Sequence, residues 1–312
     1  MRVLFAGTPD FAIPSLDAIA ASKRHLPVGA LTMPDRPRGR GRKPEAPPVK
    51  RRAGELGLPV LQPARPSSEE SLEAIRALAP EAVAVVAYGR ILKAPFLALP
   101  RHGCVNVHAS LLPAYRGAAP IERAILEGEE ETGVTTMMID EGLDTGDMLL
   151  RESVAIGEGE SAGELAGRLA PIGGRLLVET LDRLERGDCP REPQDDARAT
   201  HAPPLRKEEA RVDWTAPAAR IVRLVRAMNP RPVAFTETPR GAMRLWRAAP
   251  AEGEGAPGTV LAADPRAGLI VAAGEGAVRV EEAQLPGKKR LAARALLAGV
   301  SFPVGAPLAG GA

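Results

Sequence analysis

Apolar residues occur first as short unbroken runs and later in alternation with polar ones. That order predicts two differently built halves. Arg2–Ala6, Val28–Leu31, Val60–Leu61, Ala82–Ala87, Gly103–His108 and Gly133–Ile139 read as strands, and the run at Ala82–Ala87 suits a strand buried on both faces. Helical spacing separates them. One helix follows the Gly7 turn, with Pro9 in its first turn, and runs to about Ala21. Others are expected near Val49–Leu56, over Ser67–Leu78 behind a Ser and acidic residues, and over Ala118–Leu126. A long helix over Ser161–Arg186 is expected to break at Gly173-Gly174. Strands alternating with helices imply an α/β domain with a Rossmann-like, doubly wound, mostly parallel sheet.

Residues 187–204 are rich in Pro, Asp and Arg with little periodicity, so 188–204 reads as a linker between a first domain, 1–187, and a second, 205–312. In the second, Ile221, Leu224, Val225 and Met228 mark one helix face. Short strands then alternate with Gly and Pro turns at 233–237, 242–248, 258–262, 268–272 and 277–281. A small OB-like β-barrel, closed or nearly closed, is the expected solution. The segment Thr32–Pro48, dense in Pro, Gly and Arg, is expected to be an exposed loop. No apolar run is long enough to cross a bilayer, and the N-terminus reads as a buried strand rather than a signal peptide. Two widely separated cysteines, Cys104 and Cys189, suggest no disulfide framework, and a reducing cytoplasm is the expected location.

Composition is that of an ordinary globular protein, with 45% hydrophobic and 26% charged residues. Charge matters through its distribution. The net charge is only +2, yet residues 203–312 hold 16 basic against 10 acidic residues, and residues 33–52 hold eight against two. Two basic regions on a near-neutral chain hint at a polyanion partner, although on charge alone solvated surface is the favoured reading. Arg far outnumbers Lys, and Asn and Gln are nearly absent.

Scarcity of amides gives weight to the segment HGCVNVHASLLPAYRGAAP, residues 102–120. On a strand, His102, Cys104, Asn106 and His108 share a face. A metal site is disfavoured, because His102 and His108 would lie roughly 20 Å apart and Asn is a poor transition-metal ligand. Asn106 and His108, about 6.6 Å apart along the strand, suit a developing oxyanion and a proton transfer. A buried hydrogen-bonding pair is the plainer alternative. Against it stands the count of Asn in the chain, which is only two. The acidic, Gly-containing turn IDEGLDTGDML, residues 139–149, offers Asp144 as a carboxylate that could orient or charge the imidazole. As a bare pattern it is equally a hairpin loop.

Taken together, Asn106-x-His108, Ser110-Leu111-Leu112-Pro113, Tyr115-Arg116-Gly117-Ala118-Ala119-Pro120 and Asp140-Glu141-Gly142-Leu143-Asp144-Thr145-Gly146 resemble the folate-dependent formyltransferase family. Ala87-Tyr88-Gly89-Arg90-Ile91-Leu92 fits the same family. Phe5 to Phe11, Pro34 to Lys43 and Leu205 to Trp214 narrow the resemblance to members acting on initiator methionyl-tRNA. The likeness runs nearly end to end, with one departure at Arg231, where the family often has an aromatic residue.

The resemblance implies 10-formyltetrahydrofolate as donor co-substrate, no metal, and catalysis by Asn106, His108 and Asp144. It implies folate contacts from Ser110, Leu111, Leu112 and Pro113, with Arg90, Ile91 and Leu92 beside the pteridine. Contacts to tRNA are expected from Arg36, Arg38, Arg40, Arg42, Lys43 and Lys207, in a cytoplasmic protein that acts as a monomer away from membranes. Three rivals are weaker. A dinucleotide-binding dehydrogenase would need a Gly-x-Gly-x-x-Gly after Phe5, which is absent. A non-catalytic RNA-binding protein leaves Asn106, His108 and Asp144 unexplained. A formyltransferase for an amino sugar or glycinamide ribonucleotide has no use for two basic regions.

Overall fold

The run Ala82–Val86 carries no polar side chain, and all five residues are buried. Such a strand needs cover on both faces, and it lies at the centre of a parallel sheet. The structure is a computed structural model that describes residues 1–38 and 43–309. In chain order it runs β1 (Arg2–Gly7), α1 (Ile13–Ala21), β2 (Leu26–Leu31), β3 (Arg36–Arg38), β4 (Lys43–Glu45), α2 (Pro48–Glu55), β5 (Val60–Leu61) and α3 (Glu69–Ala77). Next come β6 (Ala82–Val86), α4 (Ala94–Leu97), β7 (Cys104–His108), β8 (Arg116–Gly117), α5 (Pro120–Glu127), β9 (Glu131–Met138), β10 (Met148–Ala155), α6 (Ala162–Arg186) and β11 (His201–Ala202). The remainder holds α7 (Ala218–Ala227), β12 (Ala234–Thr236), β13 (Met243–Ala251), β14 (Val260–Asp264), β15 (Gly268–Ala272), β16 (Ala277–Gln284), β17 (Leu291–Ala292) and α8 (Ala293–Leu297).

Two compact units divide the chain. The first comprises Met1–Pro120, Glu131–Ala155 and Ala166–Ala202. Its sheet has the order β10-β9-β7-β6-β1-β2-β5. The five strands from β7 to β5 run parallel, and β9 and β10 add an antiparallel edge. The strand order reverses beside β1, the doubly wound arrangement expected from the alternating pattern.

Three local expectations meet differences. Residues 188–202, expected as part of a linker, belong to the first unit. They are held by a Met148–Glu192 bridge and by β11 pairing with β8. Their strand is only two residues long, so no periodicity announces it. The expected loop over Thr32–Pro48 contains a hairpin, in which β3 pairs with β4. Its register sets Pro37 opposite Pro44, the pairing that leaves two residues without N–H where none is needed. Third, α6 does not break at its two glycines. They serve close packing instead: a Cβ on Gly173 would meet Val107 at 2.7 Å, and one on Gly174 would meet the Pro14 carbonyl oxygen at 2.8 Å.

The second unit comprises Ile121–Glu130, Ile156–Leu165 and everything from Pro203 onward. Its antiparallel sheet has the order β12-β13-β16-β15-β14, with β17 on β16. No ladder joins β12 to β14 among the described residues. Alternation along β13 and β16 buries Met243, Leu245, Val278, Val280 and Ala283 against Ile221, Val225 and Met228 of the α7 segment. Arg231 is exposed.

The reading of α6 makes a paired prediction. Gly167 is exposed and nothing lies within 4 Å of a Cβ built on it, so Gly167→Ala should stabilise the protein by about 0.5–1 kcal/mol. Gly174→Ala gains the same helix propensity but drives a methyl into backbone, and should destabilise by about 1–3 kcal/mol. Urea unfolding of both variants reads the two signs.

Candidate active site

Ligands in open α/β sheets bind beyond the carboxyl ends of the parallel strands. Here β7 delivers Asn106 and His108 to that end, one turn of the pleat apart. His108 is 5% exposed, which makes its hydrogen bonds decisive. Its Nε2 lies 2.9 Å from the Tyr115 carbonyl oxygen, and a carbonyl only accepts, so Nε2 carries a proton. The other ring nitrogen, Nδ1, faces Asp144 Oδ2 at 3.6 Å. When the ring is protonated at both nitrogens, each N–H therefore points at an acceptor. Asn106 Nδ2 lies 3.4 Å from Asp144 Oδ1, a long contact that leaves its second N–H without a described partner.

Asp144 reaches this position through an unusual backbone. Its φ is 55°, in the left-handed region that Asp tolerates better than most residues. The turn is closed locally by Asp140, whose carboxylate accepts from Gly142 N at 3.0 Å and from Thr145 Oγ1 at 2.7 Å. Gly146 has no alternative residue, since a Cβ there would sit 2.0 Å from the Met138 carbonyl oxygen. Asp144 Oδ2 also accepts from Gly117 N at 2.9 Å.

Segments on either side hold these groups. The chain after β7 is fastened by Thr135, whose hydroxyl donates to Ser110 O at 2.7 Å and accepts from Leu112 N at 3.2 Å. Beyond the expected residues, Gln194 donates to the carbonyl oxygens of Asp144 and Gly146 at 2.8 and 2.7 Å and accepts from Arg116 Nε at 2.9 Å. Arg116 is 5% exposed and also pairs with Asp196. Thr200 Oγ1 accepts from Tyr115 N at 2.8 Å. Sequence reasoning passed over Gln194 and Thr200 because they lie in the presumed linker. Scarcity was the available signal, since Gln194 is one of three glutamines in the chain.

The residues expected at the folate differ in exposure. Arg90 and Ile91 are exposed, and Leu111 and Pro113 partly so. Ser110, Leu112 and Leu92 are buried: Ser110 Oγ donates to Ala114 O at 2.6 Å, Leu112 packs with Met137 and Met148, and Leu92 belongs to the core around Phe96. Among the residues expected at tRNA, Arg36 and Lys207 are exposed. Arg38 and Lys43 lie on the facing strands of the hairpin, and Arg40 and Arg42 fall outside the described residues.

Burial pushes the Cys104 thiol up to about 12 and the Tyr88 phenol up to about 12. Both are therefore neutral near pH 7, and Cys104 offers no thiolate to a metal or an electrophile. Among the described residues, one group has metal-donor spacing, His25, Asp182 and Glu185. His25 immediately precedes β2, at the amino end of that strand and away from the carboxyl end of β7, and Arg24 already pairs with both carboxylates.

Residues 1–181 match the formyl transferase family, and residues 204–301 match its C-terminal domain. The chain is 48% identical over 308 residues to the methionyl-tRNA formyltransferase of Pelotomaculum thermopropionicum, spanning 98% of this chain and 97% of that one. It is 46% identical to the enzyme of the same name from Desulfotalea psychrophila, over 97% and 94% of the two chains. Among solved structures, a methionyl-tRNA formyltransferase from Clostridium thermocellum superposes with a TM-score of 0.56 at 15% identity, over 81% of this chain and 95% of its own. HypX from Aquifex aeolicus, in complex with tetrahydrofolic acid, gives 0.64 at 20% identity, over 95% of this chain and 47% of its own. At such identities the structural likeness is one of fold.

Removing the Thr135 hydroxyl leaves Ser110 O and Leu112 N without their partner. Thr135→Val, nearly isosteric, should lower stability by about 1–3 kcal/mol in urea unfolding.

Proposed function

The chain belongs to the methionyl-tRNA formyltransferases and transfers the formyl group of 10-formyltetrahydrofolate to the α-amino group of methionine on initiator tRNA; within that activity we propose that Asn106, His108 and Asp144 carry the chemistry. The observation that supports this most strongly is the carboxylate of Asp144. It lies against Asn106, His108 and the Gly117 N–H at once, gathering three separate segments at the carboxyl end of β7.

The reaction needs a free amine, and the reference pKa of an α-amino group, about 7.7–8.0, supplies one in quantity near neutral pH. Its lone pair attacks the formyl carbon, and the carbonyl oxygen becomes an oxyanion. The uncommitted N–H of Asn106 and a protonated His108 stabilise that charge. Asp144 balances the imidazolium and takes the proton lost by the amine, directly or through a water. The same proton passes to the folate nitrogen as the carbon–nitrogen bond breaks. Atoms and charge balance with no metal and no covalent enzyme intermediate.

Exposed Arg90 and Ile91, with Leu111 and Pro113, are the side chains suited to touch the folate, while buried Leu92, Ser110 and Leu112 support them from behind. Residues 205–312 and the Arg36–Lys43 hairpin carry the basic charge suited to the phosphates of tRNA. No described helix is long and apolar enough to cross a membrane. The proposal extends to a cytoplasmic monomer.

Formylation by labelled 10-formyltetrahydrofolate should proceed with charged initiator tRNA and fail with charged elongator tRNA. His108→Ala and Asn106→Ala should stay folded and lose about 10²–10³-fold in single-turnover rate. Wild-type rates in either variant would remove that residue from the mechanism. Affinity for tRNA should fall steeply with salt, by about 10³-fold between roughly 50 and 200 mM if six phosphates are held. A flat dependence contradicts phosphate-led binding.

A further inference from the structure

We propose that Gln194 is a positioning residue that sets the register between Asp144 and the His108 acceptor. This role rests on the proposed catalytic function of Asp144 and His108. Two backbone groups define that register: Tyr115 O, which accepts from His108 Nε2, and Gly117 N, which donates to Asp144 Oδ2. They flank a single residue, Arg116. The Arg116 side chain is 5% exposed, and its Nε donates to Gln194 Oε1 at 2.9 Å. From the same amide, Nε2 donates to Asp144 O at 2.8 Å and Gly146 O at 2.7 Å. One side chain thus uses both kinds of hydrogen-bonding atom to join the strand that serves His108 to the turn that presents Asp144.

Chemistry makes glutamine specific to this task. The turn side offers two carbonyls, which need donors, and the Arg116 side offers a donor, which needs an acceptor. Leu meets neither need, and an ionised Glu sets an anion against two carbonyl oxygens. The turn also needs holding, since Asp144 keeps a positive φ that is strained for a residue with a side chain and persists only where its surroundings impose it. Gln194 grips the carbonyl of that residue. Its own backbone is anchored nearby, by the Met148–Glu192 bridge on one side and the Asp196–Arg116 ion pair on the other.

The role is read in a double-mutant cycle of Gln194→Leu and Asp144→Asn on the full chain, with kcat and KM for charged initiator tRNA and with urea unfolding. We expect Gln194→Leu to fold and to lower kcat by about 10- to 100-fold with little change in KM, the size of effect that small misplacement of a catalytic group produces. In the Asp144→Asn background the same substitution should have almost no further effect, because the group it positions is already disabled. A KM effect without a kcat effect, or the same fold-loss in both backgrounds, overturns the proposal. Full activity of Asp144→Asn alone overturns the catalytic reading of Asp144 and this proposal with it. Should Gln194→Leu not fold, Gln194→Glu keeps the acceptor for Arg116 and carries the same cycle.

Discussion

The carboxylate of Asp144 is the point on which the site depends. It is one acidic side chain in a turn between two edge strands, and it meets Asn106, His108 and Gly117 N. Asn106 and His108 come from β7 and Gly117 from β8, both distant in sequence from the turn. A mostly buried carboxylate is expensive unless donors surround it. The donors here are groups the proposed reaction needs placed, so satisfying the carboxylate and assembling the candidate site are the same event. The positive φ of Asp144 and the obligate Gly146 are local consequences of aiming it there.

A parallel sheet supplies the rigidity behind this arrangement. β6 and β7 are buried through most of their length, and β9 adds Thr135, which fixes the chain leaving β7 through two backbone contacts. Residues 188–202 then close the site from the other side. They form almost no regular structure, yet Gln194 and Thr200 each bind segments that touch Asp144 or His108. Irregular backbone can be as well determined as a strand when its polar groups all find partners.

Charge is organised differently from catalysis. Asn106, His108 and Asp144 sit in a part of the chain that is slightly acidic overall, and basic residues gather in the segment 36–43 and from 203 onward. Basic regions of this kind attract polyanions.

Periodicity settled most of the architecture from sequence alone. Unbroken apolar runs gave the parallel strands and alternating ones the second unit, because burial on two faces or one leaves those patterns and the short run lengths favour strands over helices. The rarity of Asn singled out Asn106, and strand alternation put His108 beside it. Three things lay beyond that reach. Gly173 and Gly174 looked like a break, because a sequence does not show that β7 and α1 approach close enough to require glycine. Arg36–Glu45 looked like open loop, because a hairpin with facing prolines has no apolar signature. Gln194 looked like linker, because its role exists only once Arg116, Asp144 and Gly146 have been brought together from distant parts of the chain. Side-chain pattern records how each element meets the core, and only the tertiary structure decides which polar groups meet one another.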